Sequence, residues 1–224
     1  MSFENLGLCP LILKAVQTAG YDQPTPVQAQ AIPAVLNGED LMVSSSTGSG
    51  KTAAFMLPAL HKLAEPSTVR SLGPRILILT PTRELALQVT KASETYGRFL
   101  KRVNVVSVLG GMPYHTQLRQ LKQPVEIMVA TPGRLLDHMQ AGRVDFSRLE
   151  ILVLDEGDRM LDMGFIDDIE AIVNATPKNR PTLMFSATFD GPVGKLAQRL
   201  MREPRKIEIS SHTTRHENIE QRLH

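Results

Sequence analysis

Two short stretches of this chain hold residue types at spacings that suit phosphate chemistry. The first is Asp155-Glu156-Gly157-Asp158, set directly after the aliphatic run Ile151-Leu152-Val153-Leu154. Carboxylates packed this closely repel one another and lose solvation unless a cation sits among them. Alone, the tetrapeptide reads equally as a solvated acidic turn. The second stretch is Ser45-Ser46-Thr47-Gly48-Ser49-Gly50-Lys51-Thr52. It fits the phosphate-loop pattern Gly-x-x-x-x-Gly-Lys-Ser/Thr, except that Ser45 takes the place of the first glycine. Gly48 and Gly50 let the backbone fold into a nest whose N–H groups converge on phosphate oxygens. A helix starting there adds its positive dipole end. Lys51 can reach the β and γ phosphates, and the Thr52 hydroxyl can ligate Mg2+. A Gly-Ser-Gly turn with a chance Lys-Thr is the plain alternative, but the apolar flanks 41–43 and 53–57 give the context strand, loop, helix. Paired, the two stretches make a site for Mg2+ and a nucleoside triphosphate. Asp155 then serves the metal, and Glu156 is a general base toward the attacking water.

These residues need a scaffold that brings them together. The run 151–154 reads as a strand buried on both faces, and ligands bind at the carboxyl ends of such strands in open α/β sheets. Similar runs at 41–43, 76–79, 105–109, 127–130 and 183–185 alternate with helix-length amphipathic segments. The segment 84–99, with Leu85, Leu87, Val89, Ala92, Tyr96 and Phe99, is one of these. Pro81, Gly110-Gly111, Pro132-Gly133 and Pro177 punctuate the alternation. The pattern predicts an α/β fold with one doubly wound, mostly parallel sheet and helices on both faces. A helix over 193–201 leads to a last strand over 206–209.

Three regions follow: an N-terminal module packed on the core (1–38), the nucleotide-binding domain (39–210) and a polar linker (211–224). In the first, a helix over 10–19 leads to Gly20-Tyr21-Asp22-Gln23-Pro24-Thr25-Pro26-Val27-Gln28, stiffened by two prolines. A side-chain amide such as Gln28 can donate and accept at once, as adenine N6 and N7 require. A proline-rich surface turn is the alternative.

Composition narrows the field. With 224 residues, 42% of them hydrophobic, the chain can bury one substantial core. A net charge of +2 neither demands nor excludes a nucleic acid, so that question falls to local motifs. The single cysteine, Cys9, excludes an internal disulfide, suits a reducing cytosol and reads as a small buried hydrophobe. The histidines show no paired metal-ligand spacing. No apolar run approaches the ~20 residues of a membrane span, and no signal-peptide pattern opens the chain. The expectation is a soluble, cytoplasmic monomer.

Taken together, the motifs resemble those of the N-terminal RecA-like domain of DEAD-box ATP-dependent RNA helicases, and within them the bacterial RhlE-like branch, over nearly all of 1–210. The stretch from Gly20 to Gln28 is similar to the family's adenine-reading Q motif. The resemblance implies that Gln28 bonds the adenine edge, Phe3 stacks on or near the base, Tyr21 joins the nucleotide-binding set, and Thr25 braces the phosphate loop. Residues 45–52 resemble motif I, which in this family opens with Ala or Ser. That implies ATP held by Ser46, Thr47, Gly48, Ser49, Gly50, Lys51 and Thr52, with Thr52 and Asp155 on Mg2+ and Lys51, Asp155 and Glu156 catalytic. Pro81-Thr82-Arg83, Gly110-Gly111 and Thr131-Pro132-Gly133-Arg134 resemble elements that line the RNA backbone, as does Gly164 before Phe165. Ser186-Ala187-Thr188 resembles the motif that couples the nucleotide site to RNA, here through bonds to Asp158.

The RNA expectation is chemically sensible. Arginines, threonine hydroxyls and glycine N–H groups hold phosphate and sugar without reading bases, so binding should tolerate sequence and weaken with salt. Singly, each loop is an ordinary βα turn; three of them end separate predicted strands. Two departures stand out: Gly157 occupies a position where the family usually has alanine, and the sequence stops at His224 where the family continues into a second RecA-like domain, whose lead-in 217–221 resembles. That domain would supply an arginine finger, worth ~10³–10⁵ in rate. The expectation is therefore an RNA helicase whose 224-residue portion binds nucleotide, hydrolyses it slowly and does not unwind alone. A non-catalytic ATP-gated RNA clamp or scaffold is the alternative, and a DNA translocase on a similar core is a third.

Overall fold

The aliphatic runs become strands because helices cover them from both sides. The computed structural model describes residues 1–209. Its strands are β1 (Leu41–Ser44), β2 (Ile76–Leu79), β3 (Val105–Val108), β4 (Ile127–Ala130), β5 (Ile151–Leu154), β6 (Thr182–Ser186) and β7 (Arg205–Glu208). All pair in parallel, in the order β3-β4-β2-β5-β6-β1-β7. The connecting helices are α1 (Pro10–Thr18), α2 (Pro26–Leu36), α3 (Lys51–Leu63), α4 (Arg83–Tyr96), α5 (Tyr114–Gln120), α6 (Pro132–Gln140), α7 (Gly157–Asp162), α8 (Ile166–Asn174) and α9 (Pro192–Leu200).

Side-chain alternation along the strands sorts the core into two layers. Leu41, Val43, Ile151, Val153, Leu183 and Phe185 face the layer filled by Ile12, Val27, Phe55 and Ala86, from α1 to α4. Met42, Leu152, Leu154 and Met184 face the other layer, filled by Leu135, Met160, Ile169 and Leu196, from α6 to α9. Each fully buried aliphatic side chain contributes roughly 1.5–3 kcal/mol. That is why central strands read as unbroken apolar runs, while edge strand β7 buries only Ile207. The expected doubly wound sheet is the observed one, with boundaries shifted by a residue or two.

The N-terminal stretch departs from its sequence reading. The stiff segment ends at Thr25, and Pro26 opens α2, where proline's missing N–H is no loss. The expected linker, 211–224, lies outside the described residues. Phe3, in a 3-10 turn (Phe3–Leu6), joins the same apolar cluster as α2 and β1. Cys9 is half-buried, and its backbone N–H donates to His61 Nδ1 at 2.9 Å.

Candidate functional site

Because every strand is parallel, every carboxyl end opens on the same edge of the sheet. Strands β5, β6 and β1 lie side by side, so the loops after them form one neighbourhood. The loop after β1 is anchored where Ser45 N–H donates to Ser186 O at 3.0 Å. Gly48 and Gly50 take φ of +82° and +85°, the left-handed region the nest requires. Lys51 then opens α3, whose amino end points into the loop.

Gly50 is fixed from beneath by the N-terminal module. Thr25 caps α2, with Gln28 in a reciprocal capping box: Thr25 N–H donates to Gln28 Oε1 at 3.0 Å. Gln28 Nε2 donates to Gly50 O at 3.1 Å. A Cβ on Gly50 would stand 2.5 Å from Gln28 Nε2 and 2.8 Å from Thr25 Oγ1, so only glycine fits. Gln28 is buried, and its amide is engaged with Thr25 and Gly50.

The acidic turn faces this loop. Asp155, 2% exposed, has Oδ1 at 2.9 Å from Lys51 Nζ. This ion pair is the contact that Asp155 Oδ1 makes in its buried position. Lys51 also lies 3.8 Å from Glu156 Oε1, while Arg159 Nη1 lies 3.7 Å from Glu156 Oε2. Glu156 itself has φ 54° and ψ 56°, a left-handed conformation that costs a non-glycine residue about 1–2 kcal/mol. Next to it, Gly157 opens α7 with Met184 Sδ 3.2 Å and Val193 Cγ2 3.6 Å from where a Cβ would stand.

The second neighbourhood is the edge over β3, β4 and β2. Thr82 caps α4 by accepting from Leu85 N–H at 3.3 Å, and leaves Arg83 exposed on the first turn. Gly110 N–H donates to Thr131 Oγ1 at 3.0 Å, tying the loop after β3 to the loop after β4. Arg134 Nη1 donates to Met112 O at 2.9 Å. Pro81 and Pro132 are buried, Gly133 is half-buried, and Gly111 and Gly164 are exposed.

Three further candidates have these surroundings. Phe3 is 6% exposed and packed in the core, so it offers a base almost no face. Tyr21 lies with its ring centroid 6.2 Å from that of Tyr96, the last residue of α4. Tyr21 is 52% exposed, so its ring keeps a free face. The link between Asp158 and the loop after β6 runs through backbone: Asp158 N–H donates to Ser186 Oγ at 3.2 Å, and Ser186 Oγ donates to Thr188 O at 2.6 Å. Thr188 Oγ1 instead accepts from Asp190 N–H at 3.1 Å. Arg159, and the polar set Tyr114, Gln117, His138 and Arg143 behind the second neighbourhood, had no marker in the sequence beyond helical spacing.

Comparison with known proteins agrees with this geometry. Residues 25–196 match the family described as DEAD/DEAH box helicase. The chain is 46% identical over 220 residues to the ATP-dependent RNA helicase DeaD of Escherichia coli (strain K12), covering 98% of this chain and 34% of that protein. It is 42% identical to DeaD of Haemophilus influenzae, covering 99% and 35% respectively. It thus spans about a third of the length of these curated relatives. Among solved structures, a DEAD box protein from the hyperthermophile Methanococcus jannaschii aligns with a TM-score of 0.85 at 37% identity, over 94% of this chain and 56% of that one. A hypothetical ATP-dependent RNA helicase from Sulfolobus tokodaii aligns at 0.80 and 40%, over 89% and 56%.

Proposed function

The chain belongs to the DEAD/DEAH box helicase family, and from that premise we propose that it is the N-terminal, ATP-binding RecA-like domain of an ATP-dependent RNA helicase. The observation that carries this is the buried Asp155 carboxylate paired with Lys51 Nζ at 2.9 Å at the mouth of the glycine nest. The residues fit Mg2+ with ATP. Among the described residues no cluster of three or more His, Cys, Asp or Glu is poised to hold a metal. Mg2+ is commonly held by one or two protein ligands plus phosphate oxygens, a role open to Asp155 and Thr52. When bound, the metal supplies neutralisation of charge on the phosphates.

The chain's own groups do the rest. Lys51 exchanges its contact with Asp155 for the β and γ phosphates. Backbone N–H groups of 46–50 hold the phosphate oxygens. Glu156 orients the attacking water and takes its proton as the γ phosphorus is attacked and ADP leaves. Gln28 supports the site by holding Gly50, and it keeps one N–H and one lone pair for adenine.

RNA would run over Pro81, Thr82 and Arg83, Gly110 and Gly111, and Thr131 to Arg134, with Gly164 beyond them, held by its backbone. Ser186 would relay closure from Asp158 to the loop that ends β6. A second RecA-like domain completes the clamp, and this portion alone binds nucleotide, turns it over slowly and leaves duplexes intact. The protein acts as a cytoplasmic monomer. The RhlE-like branch rests on motif resemblance alone, since the relatives compared above bear the name DeaD. A helicase is favoured over an inert RNA clamp because Glu156 is present and faces Lys51. The test is RNA-stimulated ATP turnover of the full-length protein with Glu156→Gln: turnover should fall by at least a hundredfold, within the ~10²–10⁴ a general base contributes. Unchanged turnover would remove Glu156 from the chemistry.

A further inference from the structure

Behind the proposed RNA edge, α5 and α6 bury a polar network centred on Gln117 and His138, two residues that none of the motifs contains. Gln117 is 2% exposed and His138 is fully buried. Gln117 Nε2 donates to Leu109 O at 3.0 Å. Its Oε1 accepts from Arg134 Nη1 at 3.2 Å and faces His138 Nε2 at 3.1 Å. An amide oxygen only accepts, so Nε2 of His138 carries the proton. Nδ1 is left to accept from Arg143 Nη1, 3.4 Å away. Burial, and then Arg143 and Arg134, hold His138 below its ordinary value against the opposing pull of Asp137, so the ring stays neutral. Tyr114 covers the set: its ring stacks on His138 at 4.7 Å, and Arg134 and Arg143 lie 4.9 and 5.4 Å from its centroid.

The network delivers three anchors to one loop. Leu109 O is held by Gln117, Gly110 N–H by Thr131, and Met112 O by Arg134. Between them Gly111 takes φ +78° with no atom within 4 Å of where a Cβ would stand, so its backbone is open to a ligand. Both bonds from Arg134 leave through Nη1. The fork of Nη2 and Nε keeps the geometry that grips a phosphate. An arginine already held in place loses little rotamer freedom when it binds.

We propose that Gln117 and His138 are positioning residues for RNA, locking the Gly111 backbone and the Arg134 fork into one rigid phosphate clamp. This rests on the RNA reading of that edge. The test uses this chain, a fluorescently labelled single-stranded RNA of mixed sequence, and a salt series. Gln117→Met should weaken RNA binding by about tenfold, the loss of a bond to a charged group. The slope of log affinity against log salt should become shallower by about 0.7, one phosphate contact on a single strand. ATP affinity should hold, and Gln117→Glu, which keeps the acceptor for Arg134, should recover part of the loss. Unchanged RNA affinity, or a weaker affinity with the slope intact, overturns the proposal. His138→Phe keeps the stack on Tyr114 while removing both ring bonds, and gives the same readout if Gln117→Met fails to fold. Arg83→Ala separates the two layers of inference, because Arg83 is on the edge but outside the network. If Arg83→Ala weakens RNA binding and Gln117→Met does not, only the positioning role falls. If neither does, the RNA edge itself is wrong.

Discussion

Over β5, β6 and β1 the carboxyl edge leaves its polar groups under-bonded, while over β3, β4 and β2 it satisfies them. In the first half Ser45 Oγ and Ser49 Oγ are buried and unbonded, and Asp155 Oδ1 and Glu156 Oε2 are met only by the charges of Lys51 and Arg159. In the second half, Thr131, Gln117 and Arg134 each close a bond to a neighbouring loop. The contrast is between a site that its ligand completes and a site that its own side chains have already stiffened. Unsatisfied buried groups cost about 1–3 kcal/mol each, so a ligand that supplies their partners recovers that energy on binding. A stiffened loop gains differently, by losing little freedom when it is gripped.

The sharpest attempt to break this contrast is Lys51→Ala. A charge-assisted bond to phosphate is worth roughly 1.5–3 kcal/mol, so ATP affinity should fall by about a hundredfold by titration calorimetry. RNA affinity should stay level, and an equal fall in both would merge the halves into one. Next in size is Thr131→Ala, which frees Gly110 N–H at a cost of about 1 kcal/mol. RNA binding should weaken by about fivefold with ATP binding intact, and Thr131→Ser should restore it.

Acid provides a third and weaker probe, because the nucleotide loops 45–52 and 155–158 contain no histidine. Burial, with Arg143 and Arg134, lowers His138. Burial also lowers His61, with Glu65 opposing and Lys62 adding. The unfolded chain takes up these protons near pH 6.5, while the folded chain resists until lower pH. The unfolded state therefore binds more protons in that interval, and stability falls as pH drops from about 7.5 to 5.5. The thermal midpoint should follow, and His138→Gln should flatten part of the slope. A slope untouched by that variant would detach the histidine from the effect.

Smallest of all is Gly157→Ala. The added methyl meets the flexible end of Met184, and alanine's advantage of roughly 0.5–1 kcal/mol in a helix offsets that crowding. The unfolding midpoint should move by no more than a degree or two, with ATP affinity unchanged. A large loss would mean that Met184 cannot yield.

How much was legible in the sequence follows from what each residue's partner is. Gly48, Gly50 and Lys51 announce themselves, because left-handed backbone and phosphate admit few residue types. Ile151–Leu154 announces a strand because both of its faces are covered. Phe3 was ambiguous because an aromatic ring suits a core and a base equally well, and only packing chooses between them. Ser186 was read as a partner of Asp158, and its hydroxyl accepts from the Asp158 backbone N–H, a donor that every residue offers. Gln117 and His138 were silent for the same reason: Leu109 O is a carbonyl that any sequence would present.

Glu156 stands in a left-handed conformation that glycine or asparagine would hold at less cost. A library of this chain sorted only for resistance to heat would therefore drift at position 156 toward residues with no carboxylate. Selection for toughness and selection for turnover pull this one position in opposite directions, and a glutamate there is the mark of a chain kept for what it does.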